Sequence, residues 1–233
     1  MAAALVVAAI VRGATGFGFS AIFIATAALT TNPLPLIPVV FTCEIVMTGF
    51  QARAIRPHID WRRVLTLLAG TLVAIIPAVY VMARFSEDNA RLAISAIILV
   101  FAILLASGWK WSRPIGRAGT MAVGVVAGMA NSAGVGGLPV GVFLAAQPIP
   151  PAIFRASMVA FLTGIDLLTL PVLAANGLVK PDTLPAIIMA LPLLGLGIWI
   201  GTRLFALASG AQFRKTVVYL LVALCLLNIL ALL

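Results

Sequence analysis

Long apolar runs alternate with short polar stretches along the whole chain. Uncharged apolar runs fill Val64–Ala83, Leu92–Trp109, Leu184–Thr202 and Thr216–Leu233. Each has about the length an α-helix needs to cross a hydrocarbon core of roughly 30 Å. Strands of a membrane barrel would read instead as alternating segments of about ten residues, and none are present. Two further apolar stretches, residues 2–31 and 119–147, are cut near the middle by glycines. Their pieces, roughly 11–14 residues long, are too short to span a membrane but suit half of one.

Composition agrees with this reading. The 233 residues are 63% hydrophobic and 9% charged, whereas soluble domains carry about 25% charged residues. A soluble globular protein is excluded. The net charge of +9 would point to nucleic acid in a soluble chain. In a membrane protein Lys and Arg collect in cytoplasmic loops beside anionic headgroups, so the expected partner is the lipid bilayer and no nucleic acid. Cys43 and Cys225 both lie in apolar segments and read as small packing residues, with no disulfide or metal site. No cofactor is expected, and the absence of a G-x-x-x-x-G-K-[ST] run leaves no signal for ATP. The start of the chain lacks the charged region of a secretory signal and reads as part of the mature fold.

The order of features recurs. Thr15-Gly16-Phe17-Gly18-Phe19 has a counterpart 118 positions later in Ala133-Gly134-Val135-Gly136-Gly137. Proline-rich links follow, Asn32-Pro33-Leu34-Pro35 and Pro148-Ile149-Pro150-Pro151. Each is followed by an apolar segment with one acid (Glu44, Asp166), a polar loop with an Asp (Asp60, Asp182) and two apolar helices. The division is a first transmembrane repeat over 1–110, a polar linker over 111–116 and a second repeat over 117–233.

Loop charge then orients the halves. Eight simple spans would split the loop cations eight against six, leaving out Arg12. If residues 2–31 and 119–147 each enter and return on one side, Arg53, Arg56, Arg62, Arg63, Lys110, Arg113, Arg117, Arg155, Arg203, Arg214 and Lys215 fall inside. Only Arg84, Arg91 and Lys180 then fall outside, a split of eleven against three that satisfies the positive-inside rule better. The predicted fold is an all-α polytopic membrane protein. It has two inverted repeats, each a glycine-broken re-entrant helical hairpin followed by three transmembrane helices. The alternative is eight continuous transmembrane helices.

Glycine in a membrane helix often serves close packing, the expected role of Gly70, Gly195, Gly197 and Gly201. The clusters at Gly13–Gly18 and Gly134–Gly137 differ because polar side chains accompany them. A broken helix leaves unpaired N–H groups that lipid cannot satisfy, so the break must line a cavity or bind something. Half-helix N-termini carry partial positive charge and suit an anion, and two of them in inverted repeats form a pattern of secondary-transporter sites. The candidate substrate-binding residues are Arg12, Gly16, Phe17, Gly18, Phe19 and Ser20 from the first break. From the second they are Asn131, Ser132, Gly134, Gly136 and Gly137. Arg12 would pair with an oxyanion, or else snorkel to the interface. Glu44 and Asp166, the acids deep in apolar stretches, are proton-coupling candidates. Thr42, Thr48, Gln51 and Thr163 could add polar contacts. Arg155 reads as an interface residue and His58 as solvated.

At these residues the chain resembles the sulfite exporter TauE/SafE family of membrane transporters. The resemblance runs over nearly the whole chain. It is carried by Gly134-Val135-Gly136-Gly137-Leu138-Pro139, Pro150-Pro151 and Phe154-Arg155-Ala156-Ser157 in the second half, and by Gly16-Phe17-Gly18 and Ile59-Asp60-Trp61-Arg62 in the first. Phe19 and Ser20 stand where family members typically continue the glycine run. The resemblance implies export of a small sulfur-containing anion, sulfite or an organosulfonate, across the bacterial inner membrane. A passive anion channel, or a cation or proton carrier using Glu44 and Asp166, is the alternative. An intramembrane enzyme is disfavoured: His58 is distant in sequence from Ser20, Ser132 and Ser157, and no metal-binding motif is present.

Overall fold

The computed structural model describes residues 2–29, 31–110, 115–179, 181, 183–207 and 219. Apart from Tyr219, the expected span Thr216–Leu233, with Cys225, lies outside them, as do Arg113, Lys180, Asp182, Arg214 and Lys215. The described residues form nine α-helices and no strand: α1 (Ala2–Thr15), α2 (Phe19–Ala28), α3 (Ile37–Ile55), α4 (Trp61–Met82), α5 (Glu87–Ala106), α6 (Arg117–Asn131), α7 (Gly137–Ala145), α8 (Pro151–Ala175) and α9 (Thr183–Leu207). Five of them, α3, α4, α5, α8 and α9, are long and apolar enough to cross a membrane. This is a multi-pass helical membrane protein.

Local chemistry explains where the helices begin and end. Both short pairs break at the glycine clusters. Gly16 (φ +84°) closes α1, and Gly134 (φ +77°) sits in the turn after α6; both angles are costly for a residue with a Cβ. Thr15 reinforces the first break, its hydroxyl contacting the carbonyl of Val11 at 2.8 Å and accepting from the Phe17 N–H at 3.3 Å. Proline starts α8, where its missing N–H costs nothing. Asp60 caps α4 by accepting from the Arg63 N–H at 3.1 Å. Pro77, Pro171 and Pro192 lie inside α4, α8 and α9, as membrane helices tolerate.

The outer surface is that of a lipid-facing protein. Leu65, Leu72, Val73 and Ile76 of α4 and Leu184, Ile188 and Met189 of α9 are exposed. Trp61 and Tyr80 mark the two ends of α4, with the Arg84 guanidinium over the Tyr80 ring and Arg203 stacked 4.5 Å from the Trp199 ring centroid. Aromatic rings paired with cations are typical of the membrane interface.

Two helix pairs dominate the packing, α1 on α9 and α4 on α6. Both run parallel and close, through small residues. A Cβ on Gly13 would lie 2.9 Å from the Ile198 carbonyl and 3.0 Å from the Gly201 Cα, and one on Gly128 would lie 2.9 Å from the Thr71 carbonyl. Gly70 and Gly124 oppose each other in the same way. Gly197 and Gly201 have the expected packing role, but a Cβ at Gly195 would meet nothing within 4 Å, so that glycine packs against no neighbour among the described residues. Gly13, read with the first break, is instead a packing glycine within α1.

In the interior α3 and α8 pack in opposite directions, with Thr48 beside Thr163 and Ile55 beside Ala156 and Val159. The two helix breaks do not meet tip to tip. A Cβ on Gly141, midway along α7, would touch the Phe17 ring at 3.4 Å, and one on Gly134 would touch Ile24, midway along α2, at 3.4 Å. Each break therefore lies against the middle of the short second helix of the other half, because α2 and α7 run antiparallel and overlap.

Candidate functional site

Arg12, in the last turn of α1, is completely buried. Its Nη1 lies 3.2 Å from Glu44 Oε1 on α3. Its Nη2 donates to Thr48 Oγ1 at 3.1 Å and, more weakly, to the Glu44 carbonyl at 3.4 Å. Thr48 in turn contacts Thr163 of α8 at 2.8 Å. One guanidinium thus ties α1, α3 and α8 together.

The second half builds a matching contact with an uncharged donor. Asn131 ends α6 and donates through Nδ2 to Thr169 Oγ1 on α8 at 2.9 Å. The Asp166 carboxyl, one turn before Thr169, faces Glu44, Arg12 and Asn131. None of these closes a well-aligned hydrogen bond to either Asp166 oxygen. The Arg12–Glu44 contact is likewise a close approach of charges without an aligned hydrogen bond, leaving Nε and Nη1 as donors not taken up. Gln51, two turns beyond Glu44 on α3, is buried with neither side-chain atom bonded. Among the described residues no three His, Cys, Asp or Glu side chains gather as a metal site would need.

The glycines around this cluster have specific jobs. A Cβ on Gly136 would stand 2.5 Å from Asn131 Oδ1, so Gly136 makes room for that amide. A Cβ on Gly137 would stand 2.9 Å from Leu162. Gly18 precedes α2. Phe17 packs edge-on to Phe154 with centroids 5.9 Å apart, and Phe19 stacks on Phe23 at 6.1 Å. Ser20 is buried near the start of α2. Ser132 donates back to the Met129 carbonyl at 2.7 Å and lines a cleft of about 10 Å³ with Leu34, Met82 and Leu173. That space holds about one water at most.

The structure therefore brings Arg12, Glu44, Asp166 and Asn131 into one cluster. Phe17, Gly18, Phe19, Ser20, Ser132, Gly134 and Gly137 surround the turns without joining its polar contacts. Thr48 and Thr163 belong to the cluster, whereas Thr42 bonds only within its own helix. His58 is exposed, as expected.

Arg155, read from the sequence as an interface residue, has partners that the sequence did not show. It is buried, and its Nη2 donates to the Gly13 carbonyl at 2.6 Å and to Thr202 Oγ1 at 3.2 Å. A guanidinium on the last carbonyls of a helix satisfies orphan acceptors and the helix dipole together. Arg155 is therefore a cap for α1 that also grips α9. The available signal was an arginine in the first turn of an apolar helix, directly after Pro150-Pro151.

Comparison with known families matches residues 1–227 to the model described as sulfite exporter TauE/SafE. No curated protein and no solved structure matches the chain.

Proposed function

The chain belongs to the sulfite exporter TauE/SafE family of membrane transporters, and from that premise we propose that it is a secondary transporter for a small sulfur-containing anion. The cargo is sulfite or an organosulfonate, moved outward across the bacterial inner membrane. The observation that carries this reading is the buried Arg12–Glu44 contact at 3.2 Å, beside Asp166 and Asn131 at the ends of two broken helices. An ionised cluster at this depth is expensive and marks a substrate or ion path. Arg12 supplies the forked donors that suit an oxyanion, and the starts of α2 and α7 add helix N-termini. Glu44 and Asp166 are the groups placed to exchange a proton.

The same reading takes the two short helix pairs as re-entrant hairpins in inverted repeats. Several contacts support it. α6 runs parallel to α4 from its start, so Arg117 and Trp61 begin at one level. α7 ends beside the end of α5, where Lys110 Nζ donates to the Ala145 carbonyl at 2.8 Å. On this reading the chain enters as α6 and returns as α7 to the same face. Exchanging the halves also converts the α1–α9 pair into the α6–α4 pair.

Uptake of labelled sulfite into proteoliposomes tests the transporter. Saturable flux competed by unlabelled sulfonates is expected. Flux linear in concentration with large unitary currents would make it a channel, and inhibition by cations but not anions would make it a cation carrier.

A further inference from the structure

The charge count of the buried cluster constrains the coupling as well as the cargo. Arg12, Glu44 and Asp166 are each 0% exposed. Around them stand Cys43 and Thr48 of α3, Asn131 of α6, and Thr163 and Thr169 of α8. The flanking helices α4 and α9 carry ionisable side chains only near their ends (Arg62, Arg63, Tyr80 and Arg203), and α2 and α7 carry none. The other buried guanidinium, Arg155 of α8, is directed to the Gly13 carbonyl and Thr202, so among the described residues one cation, Arg12, faces the two carboxyls.

With both carboxyls ionised the cluster would hold one uncompensated negative charge in the membrane interior, which is costly. A single proton removes it. The 3.2 Å contact gives the ionised form to Glu44. Asp166 makes no ion pair among the described residues and faces the Glu44 carboxyl, so the proton stands on Asp166.

An oxyanion held by the forked donors of Arg12 uses Nε and Nη1, the two not taken up, and so takes Glu44's place beside Nη1, because Nη2 is already engaged by Thr48. The displaced Glu44 carboxylate would then be a bare buried charge. It is neutralised by a hydronium ion of the aqueous phase the anion comes from: one hydronium O–H bond breaks, one carboxyl O–H bond forms, water is released, and nothing is oxidised or reduced. Resting on the anion-carrier reading above, we infer that the chain binds one anion and one proton together at Arg12 and Glu44, carries both in the same direction, and selects monoanions. Empty, the site holds one guanidinium, one carboxylate and one neutral carboxyl. Loaded, it holds one guanidinium, one monoanion and two neutral carboxyls. Both states are neutral. A dianion would leave a net negative charge after both carboxyls are protonated, so a sulfonate or hydrogensulfite fits and sulfate does not. Outward flux then runs whenever the anion gradient exceeds the opposing proton gradient.

Labelled methanesulfonate is the probe, because it stays a monoanion at every working pH and does not cross lipid as a neutral acid. Counterflow at equal pH on both sides comes first, using the full chain in proteoliposomes. Its absence overturns the carrier reading, and this inference with it. Where counterflow runs, a pH difference is imposed with the membrane potential clamped at zero. The inference expects accumulation on the alkaline side, approaching tenfold per unit of pH difference, about the factor carried by one proton, and unchanged when a potential is applied. Accumulation on the acidic side, indifference to pH, or a response to potential overturns the inference and leaves the carrier reading intact. Sulfate competing as well as unlabelled methanesulfonate overturns the monoanion selection. Glu44→Gln mimics the protonated form permanently, so gradient-driven accumulation is lost and any residual exchange is blind to pH. Continued accumulation by that variant contradicts the assignment, and the wild-type measurement decides the coupling alone if the variant does not fold.

Discussion

Arg12 and Glu44 face each other at 3.2 Å with both side chains sealed from solvent. Removing one partner of a buried pair leaves the other as an uncompensated charge, at a cost of about 3–5 kcal/mol. Arg12→Met therefore strongly destabilises the protein. Arg12→Met combined with Glu44→Gln recovers most of that loss, since no charge is left unpaired, yet carries no flux. Thermal unfolding in detergent, beside transport, checks both. Equal destabilisation by the single and double variants would contradict the pairing.

Gly16→Ala is expected to abolish transport and lower stability. The φ of +84° costs an L-residue about 1–2 kcal/mol. The added Cβ would also lie 2.8 Å from the Arg155 carbonyl oxygen, a backbone atom that cannot step aside. Gly195→Ala, at helical geometry with no described neighbour within 4 Å of the added Cβ, leaves flux unchanged and does not lower stability. Fluorescence-detected thermal unfolding of the two variants separates the break glycine from the spare one.

Arg155→Ala removes the donor to the Gly13 carbonyl at 2.6 Å and the contact with Thr202. Hydrogen bonds to charged groups contribute about 1.5–3 kcal/mol each, so a fall in midpoint of several degrees is expected. A cysteine pair placed across α1 and α9 should cross-link more slowly in this variant. An unchanged cross-linking rate would mean that Arg155 does not hold the first break in place.

Re-entrance has a direct topological test. With the native cysteines replaced, Arg117→Cys and Pro148→Cys, both at exposed positions, should react with an impermeant maleimide from the same side of the membrane. Eight continuous spans would put them on opposite sides.

How far the chain could be read from its residues depended on the kind of signal. The spans inside α4, α5 and α9 were legible because an uncharged apolar run of that length has few other uses. The breaks at Gly16 and Gly134 were legible because polar residues accompany the glycines. The partners of Arg12 were not, because a side-chain contact spanning 32 positions leaves no local trace. The stagger of the two breaks was hidden for the same reason, since it depends on how α2 and α7 overlap. The partners of Arg155 were not legible either, because only the packing of α1 against α9 brings the Gly13 carbonyl within its reach. Gly195 shares its composition with its neighbours Gly197 and Gly201, so only the orientation of α9 tells them apart.

The proposed transport site requires the anion to sit on Arg12. Ligand-induced thermal stabilisation tests it most directly, because a ligand that binds only the folded state raises its stability by mass action. The wild type and the charge-neutral Arg12→Met/Glu44→Gln variant are heated in detergent with increasing methanesulfonate. The expected midpoint climbs with concentration in the wild type and stays flat in the variant. Equal stabilisation of both proteins would place the anion elsewhere and contradict the account.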